Sequence, residues 1–147
     1  MYRSNASGAW EVYAWDRSEG VARQVTARPK GTSHGTIDPT GQWVWWFADT
    51  DGDEWGTWMR QPFTGGPDEP VDLEPGHPVG IALAETGDAV IGTTRPGKGF
   101  TVHLVRPGAP AKVLYEHMEA ASVAAVSPDG SLIAVNHSEH GDARHPP

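Results

Sequence analysis

Six consecutive residues, Asp49-Thr50-Asp51-Gly52-Asp53-Glu54, set carboxylates at alternate positions of a short loop. Oxygens so spaced can converge on one hard cation, and calcium is the ion that suits them. The loop departs from the EF-hand pattern: Gly52 stands at its fourth position and Arg60 at its twelfth, where that pattern has glycine sixth and glutamate twelfth. The plainer alternative is a solvated hairpin with Asp51-Gly52 at its tip. A second group, His137, His140 and His145 with Glu139 and Asp142, supplies imidazole and carboxylate, both of which zinc accepts. Its spacings of three and five do not follow H-E-x-x-H, and a polar loop after the last strand accounts for it without a metal. Ser33 and His34 are a nucleophile and a base side by side, but they lack an evident Asp partner or oxyanion donors. A strand would point them to opposite faces, so His34 reads as a tunnel-lining or hydrogen-bonded structural residue.

Seven tryptophans form the remaining candidate, a platform for carbohydrate or peptide. At strand spacing such rings more often build a core, and Trp45 and Trp46 are assigned there. Trp10 and Trp55, at strand ends beside loops, are expected to be partly exposed. The absence of cysteine removes disulfides, a thiol nucleophile and any Cys-based zinc site. Nineteen acidic against eleven basic residues, a formal charge of −8, argue against nucleic acid or an anionic membrane as partner. No apolar run approaches the ~20 residues of a membrane span, and residues 1–5 lack a signal-peptide core, so a cytoplasmic protein is expected. No cofactor is expected either.

The elements that must position these residues are short strands. Eighteen glycines and thirteen prolines leave no room for long helices. Residues 43–48, W-V-W-W-F-A, are apolar on both faces, which predicts a strand buried between two layers. Turn glycines Gly41, Gly87 and Gly130 are 46 and 43 residues apart, and the aromatics Trp10, Trp55 and Phe100 are 45 and 45 apart. A period of ~40 to 50 residues with four short strands per unit is the signature of β-propeller blades. The chain therefore reads as an all-β, partial β-propeller of four-stranded antiparallel blades, two complete and two half. The end of a first blade covers residues 1–30, a second 31–75, a third 76–118 and the start of a fourth 119–147.

Several phrases then carry a resemblance. They are V-Y-A-W-D-R at Val12 to Arg17, R-Q-V-T at Arg23 to Thr26, and G-T-S-H-G-T-I-D-P-T-G at Gly31 to Gly41. With them go W-V-W-W-F-A-D-T-D-G-D-E-W-G, H-L-V-R-P-G at His103 to Gly108, S-P-D-G, and H-S-E-H-G-D at His137 to Asp142. Together they resemble the propeller domain of prolyl-oligopeptidase-family serine peptidases, of the acylaminoacyl- and dipeptidyl-peptidase-like branch common in actinobacteria. The resemblance implies a propeller that covers a separate C-terminal α/β-hydrolase domain and limits access to short peptides. Gly31-Thr32-Ser33-His34-Gly35 spells G-x-S-x-G, but it stands in a small-residue strand segment and not at a turn from strand into helix, the setting a nucleophile elbow requires, so no catalytic residue is assigned on the chain. In that setting Asp49, Asp51, Asp53, Glu54 and Trp55 form a loop that faces the hydrolase domain or attracts a substrate amino terminus. The competing reading is a stand-alone TolB-like or WD-repeat-like scaffold completed by self-association.

Overall fold

A computed structural model describes residues 1–140 and divides the chain into two compact units, Met1–Pro75 and Gly76–Pro147. Every regular element among the described residues is a β-strand, and all neighbours pair antiparallel. Among the described residues no helix is long and apolar enough to cross a membrane.

The first unit holds two sheets. One has the order β1 (Tyr2–Ser4), β2 (Glu11–Asp16), β3 (Val21–Gln24). The other runs β4 (Gly35–Ile37), β5 (Trp43–Asp49), β6 (Gly56–Pro62), β7 (Glu69–Pro70). β5 is the apolar strand 43–48 of the sequence, and Val44, Trp45, Trp46 and Phe47 are all buried. Val12 and Ala14 of β2 pack on Val44 and Trp46 of β5, so the two sheets share one core. On the other face Phe47 meets Trp58 edge-on, with centroids 5.6 Å apart. Burying rings of this size contributes about 2 to 3 kcal/mol each. Trp58 is the cross-strand partner of Phe47 within the same sheet, and both faces of the strand are buried.

In the second unit, β8 (His77–Leu83), β9 (Ala89–Arg95), β10 (Gly99–Val105) and β11 (Lys112–His117) repeat that up-and-down order. A two-stranded sheet follows, β12 (Ala121–Val126) with β13 (Ile133–His137). Val90, Val102 and Val123, from β9, β10 and β12, form its core.

Small residues on β4 and β8 are required by crowding. A Cβ on Gly35 would lie 2.8 Å from a methyl of Val12. One on Gly80 would lie 2.5 Å from the Val123 carbonyl oxygen, and Gly80 also has φ of +107°. Neither site admits a side chain without moving its neighbour.

Three local details differ from the plain reading of the sequence, in which residues 32–37 form a strand, Tyr2–Ser4 does not, and His137 opens a loop. Tyr2–Ser4 is a strand, which gives the first sheet three strands; a three-residue segment is too short to show a period in sequence. The segment 32–37 is extended only from Gly35, because the Thr32 amide bonds the Trp10 carbonyl at 2.6 Å instead of joining the ladder. His137, expected at the start of a loop, closes β13 opposite Ala121.

Candidate functional site

The acidic loop is built around Asp49, the last residue of β5. Its Oδ1 accepts the Gly52 amide at 2.8 Å and its Oδ2 the Glu54 amide at 3.0 Å. Thr50 N–H bonds the Trp55 carbonyl at 3.0 Å, and Asp53 Oδ1 accepts the Trp55 amide at 3.1 Å. Burial works to raise the Asp49 pKa, but the amides of Gly52, Glu54, Asp53 and Asp51 outweigh it and hold the carboxyl below its ordinary value. The loop turns through Gly52 at φ +85° and Glu54 at +60°, the latter a left-handed conformation that costs a side-chain-bearing residue on the order of 1 kcal/mol. Asp51, Asp53 and Glu54 are exposed and Trp55 is half-buried. Asp49 thus caps the turn with both oxygens. From outside the loop, Arg28 donates to the Asp49 carbonyl at 2.8 Å and places its guanidinium 5.6 Å from the Trp46 ring centroid.

The histidines separate. His137 lies 2.7 Å from the Tyr115 hydroxyl through Nδ1, and its ring meets that of His117 at 4.3 Å between centroids. His117 Nδ1 in turn accepts the Glu119 amide at 3.0 Å. His140 lies beyond β13 and is exposed; His145 lies outside the described residues. Among the described residues no group of three or more His, Cys, Asp or Glu could hold a metal ion. His117, whose ring meets that of His137, was not singled out by sequence, because the two are brought together by the packing of β11 near β13.

Ser33 and His34 were expected to diverge and instead meet: Ser33 Oγ and His34 Nδ1 are 2.8 Å apart. They precede β4, so strand alternation does not apply to them. The His34 ring packs edge-on to Phe47 at 6.2 Å, a structural placement. Among the tryptophans, Trp45 and Trp46 are in the core and Trp10 is 56% exposed, as expected, and Trp15 at 47% joins it. Trp43 is covered by Arg60, whose guanidinium lies 4.2 Å from its ring centroid and is held by Glu69 at 2.8 Å. A covered ring makes a poor platform.

Sequence reading missed Glu11, a buried carboxylate at the start of β2. It accepts the Arg28 amide at 2.7 Å, the Thr32 hydroxyl at 3.1 Å and the Thr26 hydroxyl. It ties the chain leaving the first sheet to the chain entering the second. Arg23 makes a similar tie, donating to Phe63 O at 3.0 Å, Pro62 O at 2.7 Å and Gln61 Oε1 at 2.6 Å. Both residues spend their charge on holding sheets together.

No protein-family model matches the chain, and no curated protein does. Among solved structures it is similar to TolB from Acinetobacter baumannii, with a TM-score of 0.51 at 17% identity. The match covers 95% of this chain but only 29% of that one. At that identity the likeness shows the fold, a β-propeller architecture of which this chain is a part.

Proposed function

We propose that the chain serves as a non-catalytic propeller scaffold for polypeptide, working with a prolyl-oligopeptidase-type hydrolase domain to admit short peptides and exclude folded ones. The observation that carries the scaffold reading is the repeated sheet order, β4 to β7 and again β8 to β11, at the 45-residue register. The peptidase setting rests on the resemblance of the phrases quoted above. In it the loop Asp49–Trp55 is the surface offered to the hydrolase domain or to a peptide amino terminus, and the compartment is the cytoplasm. The test is a peptide-length series assayed with the whole gene product and with a form lacking residues 1–147. Gating predicts that the shortened form cleaves longer or folded substrates that the whole protein spares. Unchanged size selection would refute the gate.

One observation favours the competing reading, a scaffold that associates with itself. Leu132 is 72% and Met118 66% exposed in the second unit, and large apolar side chains left in water favour association. Light scattering on the purified chain separates the two readings. A defined oligomer that Leu132→Lys dissociates supports self-association, and a monomer rejects it.

A further inference from the structure

We propose that the outer edge of β3 binds an extended peptide, which adds to the first sheet as a strand, sets one apolar side chain into the groove beside Val21 and carries a lysine or arginine next to it. β3 ends the order of its sheet, and Val21, Ala22 and Gln24 are exposed. The Val25 amide bonds the Val12 carbonyl at 2.8 Å, so along this antiparallel pair the next hydrogen-bonded couples are Ala14 with Arg23 and Asp16 with Val21. Ala22 and Gln24 alternate with them and turn their backbone N–H and C=O outward, the Gln24 carbonyl lying 3.5 Å from Arg23 Nη1. An outward row of this kind is the template for strand addition.

The groove lies on one face of the same pair. Ala14 and Asp16 of β2 and Val21 and Arg23 of β3 line it, and Phe63 closes it from the turn after β6. It encloses about 210 Å³, room for one large side chain and less than the ~300 Å³ at which small-molecule sites begin. Ala14, Val21 and Phe63 make its surface mostly apolar, which suits a leucine or phenylalanine of the added strand. The wall is built in advance, because Arg23 donates to the Pro62 and Phe63 carbonyls and to Gln61 Oε1. With that guanidinium committed to the wall, Asp16 and Glu19 set the sign of the rim. The hydroxyl of Ser18 and the amides of Glu19 and Ser18 bond Asp16 and hold its carboxyl below its ordinary value. Two carboxylates at the rim favour a basic residue on the peptide. The site shares no residue with the loop Asp49–Trp55. It rests on the polypeptide-scaffold reading but not on a hydrolase domain, so size gating can fail while this binding stands, and the reverse.

Calorimetry and amide NMR on the 147-residue chain test this with a capped hexapeptide of alternating threonine and leucine that ends in lysine. Binding is expected, with amide shifts centred on Val21–Gln24 and Phe63. Aspartate in place of the leucines should abolish it, and glutamate in place of the lysine should weaken it about threefold, the size of an exposed ion pair. Glu19→Gln should reduce that preference. Ala22→Pro deletes an outward N–H that the β2–β3 ladder does not use, so circular dichroism should be unchanged while affinity falls roughly tenfold. If that variant loses its fold, two peptides N-methylated at alternate residues take its place: one should bind and the other should not. No binding of the leucine–lysine peptide, equal binding of the aspartate version, shifts centred elsewhere, unchanged affinity in a folded Ala22→Pro, or equal binding of the two methylated peptides would overturn the proposal.

Discussion

Glu11 holds its position without a cation. Three donors, two hydroxyls and one amide, satisfy its carboxylate in the core of the first unit. Glu11→Ala leaves those donors without an acceptor and is expected to lower stability by on the order of 3 kcal/mol. Glu11→Gln, which keeps one acceptor oxygen, should cost about 1 kcal/mol. Urea denaturation midpoints check both, and a smaller loss for Ala than for Gln would contradict the role. Asp129 presents the opposite case, an exposed carboxylate. Ser127 and Ser131 donate to its Oδ1 at 2.6 and 2.8 Å, and these bonds lower its pKa to about 2. A carboxyl depressed on folding contributes stability that is present above its unfolded value near 3.8 and lost as pH falls through about 2. Asp129→Asn is therefore expected to flatten the acid limb of a stability–pH curve between those values without changing it at neutral pH by more than the lost turn bonds. Neither role was plain in the sequence. Asp129 sits in a turn phrase that names its own geometry, whereas Glu11 sits among Trp10, Val12 and Ala14 with nothing local to show that its acceptors' partners arrive from Thr26, Arg28 and Thr32.

At the level of the strand, the sequence was more open. The residues of β5 declared burial on both faces, and both are buried: Val12 packs on the face of Val44 and Trp46, and Phe47 on the other meets Trp58 of the neighbouring strand. Small residues on β4 and β8 also have a cause, the crowding at Gly35 and Gly80. Gly80→Ala must place a Cβ 2.5 Å from a backbone oxygen while holding φ at +107°. The expected loss is more than about 2 kcal/mol. Thermal melts of the chain should show it, while Gly97→Ala, with φ of +73° but open space around it, should lose only the smaller backbone part. What failed at this scale were ends. The alternation that separates Ser33 from His34 holds only inside a paired strand, and both lie just before one. The acidic loop was legible as a turn but ambiguous as an ion site, because the same carboxylate spacing serves either; what the structure adds is the role of Asp49 as a cap on the Gly52 and Glu54 amides.

For the molecule as a whole, the 45-residue recurrence was enough to reach a propeller, since each round of strands repeats its turn glycine and its aromatic. The likeness to TolB agrees at the level of fold and goes no further. A partner domain leaves no imprint on the residues that would meet it, which is why Asp49 to Trp55 can be described fully and assigned only by proposal. One feature of the layout has a practical side. The seven tryptophans, Trp10, Trp15, Trp43, Trp45, Trp46, Trp55 and Trp58, all belong to the first unit. Indole emission is thus a label that nature has placed on one unit alone. A fluorescence melt reports the fate of residues 1–75, and the remainder is dark to it except through Tyr115.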